Sequence, residues 1–397
     1  MAVAVPTMPP PMTTAPYVCS AIPPPDSRST GNDEWYRNPA AGTSPPIPFT
    51  KSASGCKLDA SGMITPAGAS MHPTKKPRLD ALTESITERL LHIKPDPGEI
   101  PHLDEIEVAG VTLPRAGAVG GDHIIYIDFN HRYDLDTLTR EKEEWWKKEA
   151  DQPNLSSLEQ SGLNAFLHHR RKEWCQRLET NRHKAGVLVA DVRGHDISDA
   201  FVVGMLHQAF LTGALYELKI FGEITPNLFE IINTRFYNSS SIGDFLTMIY
   251  GEIHTDGTFR FISAGHPPPI TFSRHFSRFM DIPQSAISTY PPIGLMPRRE
   301  EIDTGAASSP LGFKDGYRVS ELRLMGPGDI LLLYTDGLTD LIDARGNALF
   351  PEAFAGIFRT MPDAAADTVV TALTECVMSK GISREDDVSF VVIRRRR

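Results

Sequence analysis

Residues 186–199 read GVLVADVRGHDISD, and no other stretch limits the folding options of this chain so tightly. The apolar, β-branched run at 187–190 predicts a strand buried on both faces. Asp191 stands where that run stops, and a glycine turn through Arg193, Gly194 and His195 follows. From Ile197 the spacing turns helical, with Asp196 as N-cap and Asp199 three residues on. A carboxylate at the mouth of a buried strand loses much of its water, a cost offset only if something positive meets it. A metal ion is the simplest counter-charge, and the chain repeats the arrangement. Asp336 follows a second apolar strand (330–334), Asp386 and Asp387 precede a third strand (388–393), and Asp122 follows Gly120-Gly121 ahead of a fourth (123–129). If these strands are neighbours, four carboxylates meet at one rim of a sheet. Oxygen ligands without His or Cys select hard cations, Mg²⁺ or Mn²⁺ over zinc. Any one of these aspartates alone is better explained as a turn or cap residue; four at equivalent strand ends argue for a shared site.

The remaining segments arrange themselves around this pattern. Residues 1–78 are rich in Pro, Ser, Thr, Ala and Gly without a hydrophobic period, which predicts a disordered tail. Lys75-Lys76-Pro77-Arg78 reads as a solvated basic cluster rather than a localisation signal. Residues 79–104 form a linker with an amphipathic helix over 81–93, carrying Leu82, Ile86, Leu90 and Leu91 on one face, as a leader or docking helix. A strand over 106–113 follows, then the one over 123–129, in which Asp122, Ile124, Tyr126 and Asp128 share a face. Residues 134–183 are charged and helical in period, with Pro153 between two helices: an inserted hairpin. Its Trp145, Trp146, Phe166, Leu167 and Trp174, with the basic run 168–172, either pack it onto its host or mark a binding face; packing is the expectation.

A helix over 197–221 is apolar nearly all round, as if covered on both sides, and a second spans 226–238. A hairpin over 245–263 turns at Thr255-Asp256-Gly257. Residues 298–316 read as an exposed loop, 351–360 and 364–378 as helices, and the four terminal arginines as a solvated tail. Strands, two helices, many strands, two helices and a strand in that order predict an α+β fold with helices flanking antiparallel sheets. The formal charge of −10 argues against a general nucleic-acid binder. Cys19, Cys56, Cys175 and Cys376 form no close pair, so neither a disulfide framework nor a zinc spacing is expected. With no signal peptide and no apolar stretch near the ~20 residues of a spanning helix, a cytoplasmic protein without membrane contact is expected.

DVRGH at 191–195, SAGHPPP at 263–269, PPIGL at 291–295, GPGDILLLYTDGLTD at 326–340 and EDDVSF at 385–390 together resemble the SpoIIE/RsbU-like branch of the PPM-type metal-dependent serine/threonine protein phosphatases. The resemblance implies a four-layer αββα sandwich over 105–397, two antiparallel sheets flanked by helices, with two Mn²⁺ or Mg²⁺ ions at one edge. It implies that Asp191 bridges the ions and that the backbone carbonyl of Val192 ligates one. Asp336 and Asp386 would hold the second, and Asp122 would bind directly or through water. Asp191, Asp336 and Asp386 are thereby the implied catalytic set, with a bridging water attacking phosphoserine or phosphothreonine in one step. The implied substrate is a phosphorylated regulatory protein of the anti-anti-sigma type.

Three positions depart from the family pattern. Asp196 replaces a glycine, and both are good N-caps. Arg193 replaces a small residue and either donates to the substrate phosphate or faces solvent. Ile125 replaces the second aspartate of GGD-x-x-D, and whether Asp128 takes its place is left open by the sequence. His195 and His266 are candidate proton donors, or else hold their local turns through backbone hydrogen bonds. The 81–93 helix and the insert are the candidate homodimer surfaces. The competing reading is a phosphatase-like binding module that presents its insert to a partner; the retained Asp191, Asp336 and Asp386 favour the enzyme.

Overall fold

Alternation along one strand shows how the layers stack. In β3 (Lys184–Val192), Val187 and Val189 turn to one side while Leu188 and Ala190 turn to the other, and all four are inaccessible to solvent. A strand apolar on both faces needs an apolar layer on each side. The computed structural model supplies them; it describes residue 88 and residues 99–115, 120–151, 155–192, 197–239, 245–301, 309–324 and 326–396. The chain divides into two units, Met1–Met71 and His72–Arg397, and only the second contains described residues. The expected tail, the 81–93 helix except Glu88, and the residues Arg193, His195 and Asp196 lie outside the described residues.

One sheet joins β1 (Ile106–Leu113), β10 (Ile330–Tyr334) and β11 (Val388–Arg395) to β6 (Ile270–Ser273) and β7 (Arg278–Met280), in the order β1-β11-β10-β6-β7. The other runs β2 (Asp122–Asp128), β3, β4 (Leu246–His254), β5 (Thr258–Ala264), β8 (Thr289–Tyr290), with β9 (Ser320–Arg323) also on β5. All pairs are antiparallel except the two-residue β5–β8 ladder, which is parallel. Three separate cores fix four layers. Between the sheets lie Val108, Ile124, Val187, Val189, Leu331, Leu333, Val391 and Ile393. The outer face of the β2–β5 sheet packs on α3 (Ile197–Phe221) and α4 (Pro226–Ser239) through Leu188, Leu206, Phe210 and Phe229. The outer face of the other sheet packs on α5 (Glu352–Thr360) and α6 (Ala366–Val377) through Leu332, Phe390, Phe354 and Leu373. Each such side chain contributes about 1.5–3 kcal/mol by leaving water. The fold is the αββα sandwich.

The insert is a hairpin of α1 (Leu135–Ala150) and α2 (Ser157–Thr180), the latter opened by a capping box between Ser156 and Glu159. Its aromatics divide: Trp146 and Trp174 are buried in the helix-side core, whereas Trp145 and Phe166 stay exposed.

Several expectations need correction. The second strand ends at Asp128 rather than Phe129, because Asp128 accepts from the Asn130 and His131 amides and caps a one-turn helix, Phe129–Arg132. Among the described residues, the terminal arginines 394–396 are not a free solvated tail. Arg394 is buried in β11 and pairs with Glu107 at 3.1 Å, while Arg395 donates to the Leu324 carbonyl at 2.9 Å. In the 298–316 segment Lys314 is buried, because its ammonium meets Glu230 of α4 at 2.6 Å. The helix α3 is covered on one side only: Phe201, Met205 and Tyr216 are exposed. Its Asp199–Phe221 portion is also long and apolar enough to cross a membrane, against expectation, though Leu206, Phe210, Ala214 and Leu218 of it are buried on the sheet.

Candidate metal centre at the sheet rim

Register brings the aspartates together. In the antiparallel β2–β3 ladder Asp122 lies opposite Asp191, and Asp191 lies opposite Thr247 of β4. In the other sheet β10 runs into Asp336 where β11 begins after Asp386 and Asp387, since Tyr334 pairs with Phe390. Each sheet thus brings its acidic strand ends to the same edge. A side-chain hydrogen bond joins the two halves. Thr335 Oγ1 donates to Asp122 Oδ2 at 2.8 Å and accepts from the Ser389 amide at 2.9 Å, with Thr335 wholly buried.

Asp387 is a clamp more than an open ligand. Its carboxylate accepts from the Arg115 amide at 2.6 Å and the Gly121 amide at 2.7 Å, holding the β1–β2 loop against the start of β11. Gly120 and Gly337 allow this approach: a Cβ on the first would overlap the Asp387 carboxylate, and on the second the Asp387 carbonyl. Val192, the last residue of β3, is tied by its amide to the Gly121 carbonyl at 3.2 Å.

The electrostatics follow from this crowding. Burial, then Asp336, Asp386 and Asp387, push the Asp191 carboxyl up to about 7. Asp336 is raised by burial and by Asp386. Asp122, 3% exposed, is raised well above the ordinary carboxylate range by burial and by Asp191, against the lowering effect of Thr335 and Ser389. Among the described residues, the main influences on Asp122, Asp191 and Asp336 are burial and the neighbouring carboxylates. Among the described residues, no three His, Cys, Asp or Glu groups already enclose a metal position. The donor chemistry nonetheless fits hard divalent cations: oxygen donors only, crowded until they repel.

The other sequence candidates fare differently. Asp128 sits at the far end of β2 from Asp122, roughly 20 Å along the strand, and is occupied with His102, Asn130 and His131; it does not replace the missing aspartate of the family pattern. His266 is not at the surface. Burial pushes its imidazole down to about 3, and its Nδ1 lies 2.9 Å from Thr247 Oγ1, so it stands neutral behind the strand that flanks Asp191. Ser263 Oγ donates to the His266 carbonyl at 3.2 Å, a bond that holds the local turn. Thr335 and the clamp role of Asp387 carried no sequence signal beyond their places beside Asp336 and Asp386.

Comparison with known proteins gives a family match. The SpoIIE family model (stage II sporulation protein E) matches residues 181–396. Phosphoserine phosphatase RsbP of Bacillus subtilis is 25% identical over 225 residues, 54% of this chain and 47% of RsbP, so the chain spans about half the length of that relative. Among solved structures, the SiaA PP2C domain of Pseudomonas aeruginosa aligns with 81% of this chain and 99% of its own at 14% identity and a TM-score of 0.48. The RsbU and RsbW domains of a Mycobacterium tuberculosis protein align with 75% of this chain and 61% of theirs at 21% identity and a TM-score of 0.45.

Proposed function

The chain belongs to the SpoIIE family, whose model covers more than half of it, and from that premise we propose that it is a metal-dependent phosphatase acting on phosphoserine or phosphothreonine of a regulatory protein in the cytoplasm. The observation that carries this reading is the mutual repulsion of Asp191, Asp336 and Asp386 at one rim. A phosphate ester is itself anionic, so a rim of bare carboxylates repels it, and catalysis there requires cations. Asp191, Asp336, Asp386, Asp122 and the Val192 carbonyl would hold two Mn²⁺ or Mg²⁺ ions. When bound, the ions supply Lewis-acid stabilisation of phosphoryl charge and acidify water.

The chain's own residues do the positioning. Thr335 fixes the rotamer of Asp122 and ties the two sheets together at the rim. Asp387 holds the β1–β2 loop, and thereby Gly121 and the Val192 amide, in register with β11. Arg193 and His195 complete the reading as donors to the phosphate, Arg193 through its two-pronged guanidinium. The relative RsbP is a phosphoserine phosphatase, which supports phosphoserine as the group attacked; a regulatory protein of the anti-anti-sigma type as its carrier rests on the motif resemblance alone.

The deciding experiment measures phosphate release from p-nitrophenyl phosphate and from a phosphoserine peptide, with Mn²⁺ and with EDTA. Turnover that appears only with Mn²⁺ is expected. A folded protein that binds Mn²⁺ yet releases no phosphate from either compound would establish the binding-module reading instead.

A further inference from the structure

The insert holds a cavity that the rim chemistry does not use. Trp146 and Trp174 meet edge to face with ring centroids 5.4 Å apart and lock α1 to α2. The neighbouring Trp145 and Phe166 are 45% and 60% exposed. Between them lies a cavity of about 290 Å³, closed by Ile220 at the C-terminal end of α3. Two cations stand on its aromatic walls: Lys142 Nζ is 4.5 Å from the Trp145 ring centre, and the Arg170 guanidinium is 6.0 Å from that of Phe166. Burial and the Arg170 charge lower the Lys142 ammonium, so the two repel. Among the described residues neither has a carboxylate partner, whereas the adjoining Arg171 pairs with Glu143 at 2.7 Å and Arg177 with Glu223 at 3.3 Å. Glu173 also lines the cavity, with one oxygen 3.3 Å from His169. Trp174, 4% exposed and part of the lining, has an indole N–H without an acceptor.

Two placements separate this cavity from the rim. The family match starts at residue 181, just beyond α2, so the hairpin lies outside it. The 25-residue α3 runs from beside the rim to Ile220 and Phe221, a span of about 37 Å at 1.5 Å per residue.

We propose that the hairpin cavity is a docking site for an acidic segment of a partner protein that carries one large aromatic or aliphatic anchor side chain. The anchor fills the space between Trp145 and Phe166, and flanking carboxylates meet Lys142 and Arg170. Charge decides between occupants. A second copy placed symmetrically would bring Lys142 and Arg170 against themselves. The chain's overall charge of −10 repels acidic peptides elsewhere, so binding must be local to this cavity.

The test uses the full chain and a fluorescein-labelled peptide of four aspartates on each side of one phenylalanine, followed by anisotropy. Saturable binding in the micromolar range is expected. Replacing the aspartates by asparagines, or the phenylalanine by alanine, should weaken it roughly tenfold or more, about 1.4 kcal/mol. The double variant Lys142→Glu/Arg170→Glu should do the same with an unchanged thermal midpoint. If that variant unfolds, Phe166→Ser at its exposed position gives the same reading. Absence of saturable binding, or binding that ignores the charge of the peptide or of the cavity, overturns the proposal. So does sedimentation showing a dimer that the double variant dissociates, since the occupant would then be a second copy.

Discussion

Asp191 shows how one carboxylate can be both a liability and a tool. Its charge is opposed by burial and by three neighbouring acids, so the metal-free protein above pH 7 carries a strained set of anions. Asp191→Asn and Asp336→Asn each remove one of them without changing shape. Both variants are expected to lose turnover by about a hundredfold or more, the scale on which single electrostatic groups act in catalysis, and to unfold at a higher temperature than the parent in EDTA. Phosphate-release assays and thermal unfolding check the two halves of that statement, and a variant with normal turnover would remove its aspartate from the metal set. Thr335→Val is the complementary case: it leaves Asp122 without its donor and the Ser389 amide without its acceptor. A loss of about 1–3 kcal/mol in denaturant unfolding is expected. That Asp191, Asp336 and Asp386 come to one rim was legible because each stands at the end of a mostly apolar strand run. Thr335 was not, because its partner lies 213 residues away and a threonine beside an aspartate has no period to betray it.

At the scale of elements, the approach of β11 to the turn after β10 is set by a missing side chain. Gly337 faces the Asp387 carbonyl so closely that any Cβ overlaps it. Gly337→Ala is therefore expected to displace Asp386 and Asp387 and to abolish Mn²⁺ affinity measured by calorimetry, while a variant that binds normally would show that the rim tolerates the shift. The end of the chain is held by Glu107, which accepts from Arg394 at 3.1 Å, from Arg396 at 3.0 Å and from the Ala366 amide at the start of α6 at 3.0 Å. Glu107→Ala should raise hydrogen-exchange rates across β11 and α6 first; unchanged exchange there would make the contacts incidental. Strands and helices were readable from their periods, with ends shifted by a residue or two. What pattern cannot show is which charges are buried. Lys314 and Arg394 sit in segments that read as solvated, and the carboxylates of Glu230 and Glu107, distant in sequence, help make their burial tolerable.

For the molecule as a whole, buried histidines set the response to acid. His207, whose Nδ1 lies 2.9 Å from His123 Nε2, is pushed down to about 4 by burial and by Arg132, and His266 to about 3 by burial. In the unfolded chain such groups take up protons near pH 6.5. The stability present above that pH is therefore lost as the pH falls from about 6.5 toward 4 and below. The raised carboxyls Asp122 and Asp191 act with the opposite sign, so the effect is read as a difference: His207→Gln should lose less stability than the parent between pH 6.5 and 4 in chemical denaturation, and parallel curves would refute it. The Thr335–Asp122 bond has a wider consequence. Half of the acidic rim is carried by each sheet, so an ion site of the kind proposed would serve as a registration mark between two stacked plates. A slip of either plate by a fraction of a residue would separate these carboxylates while leaving every strand intact.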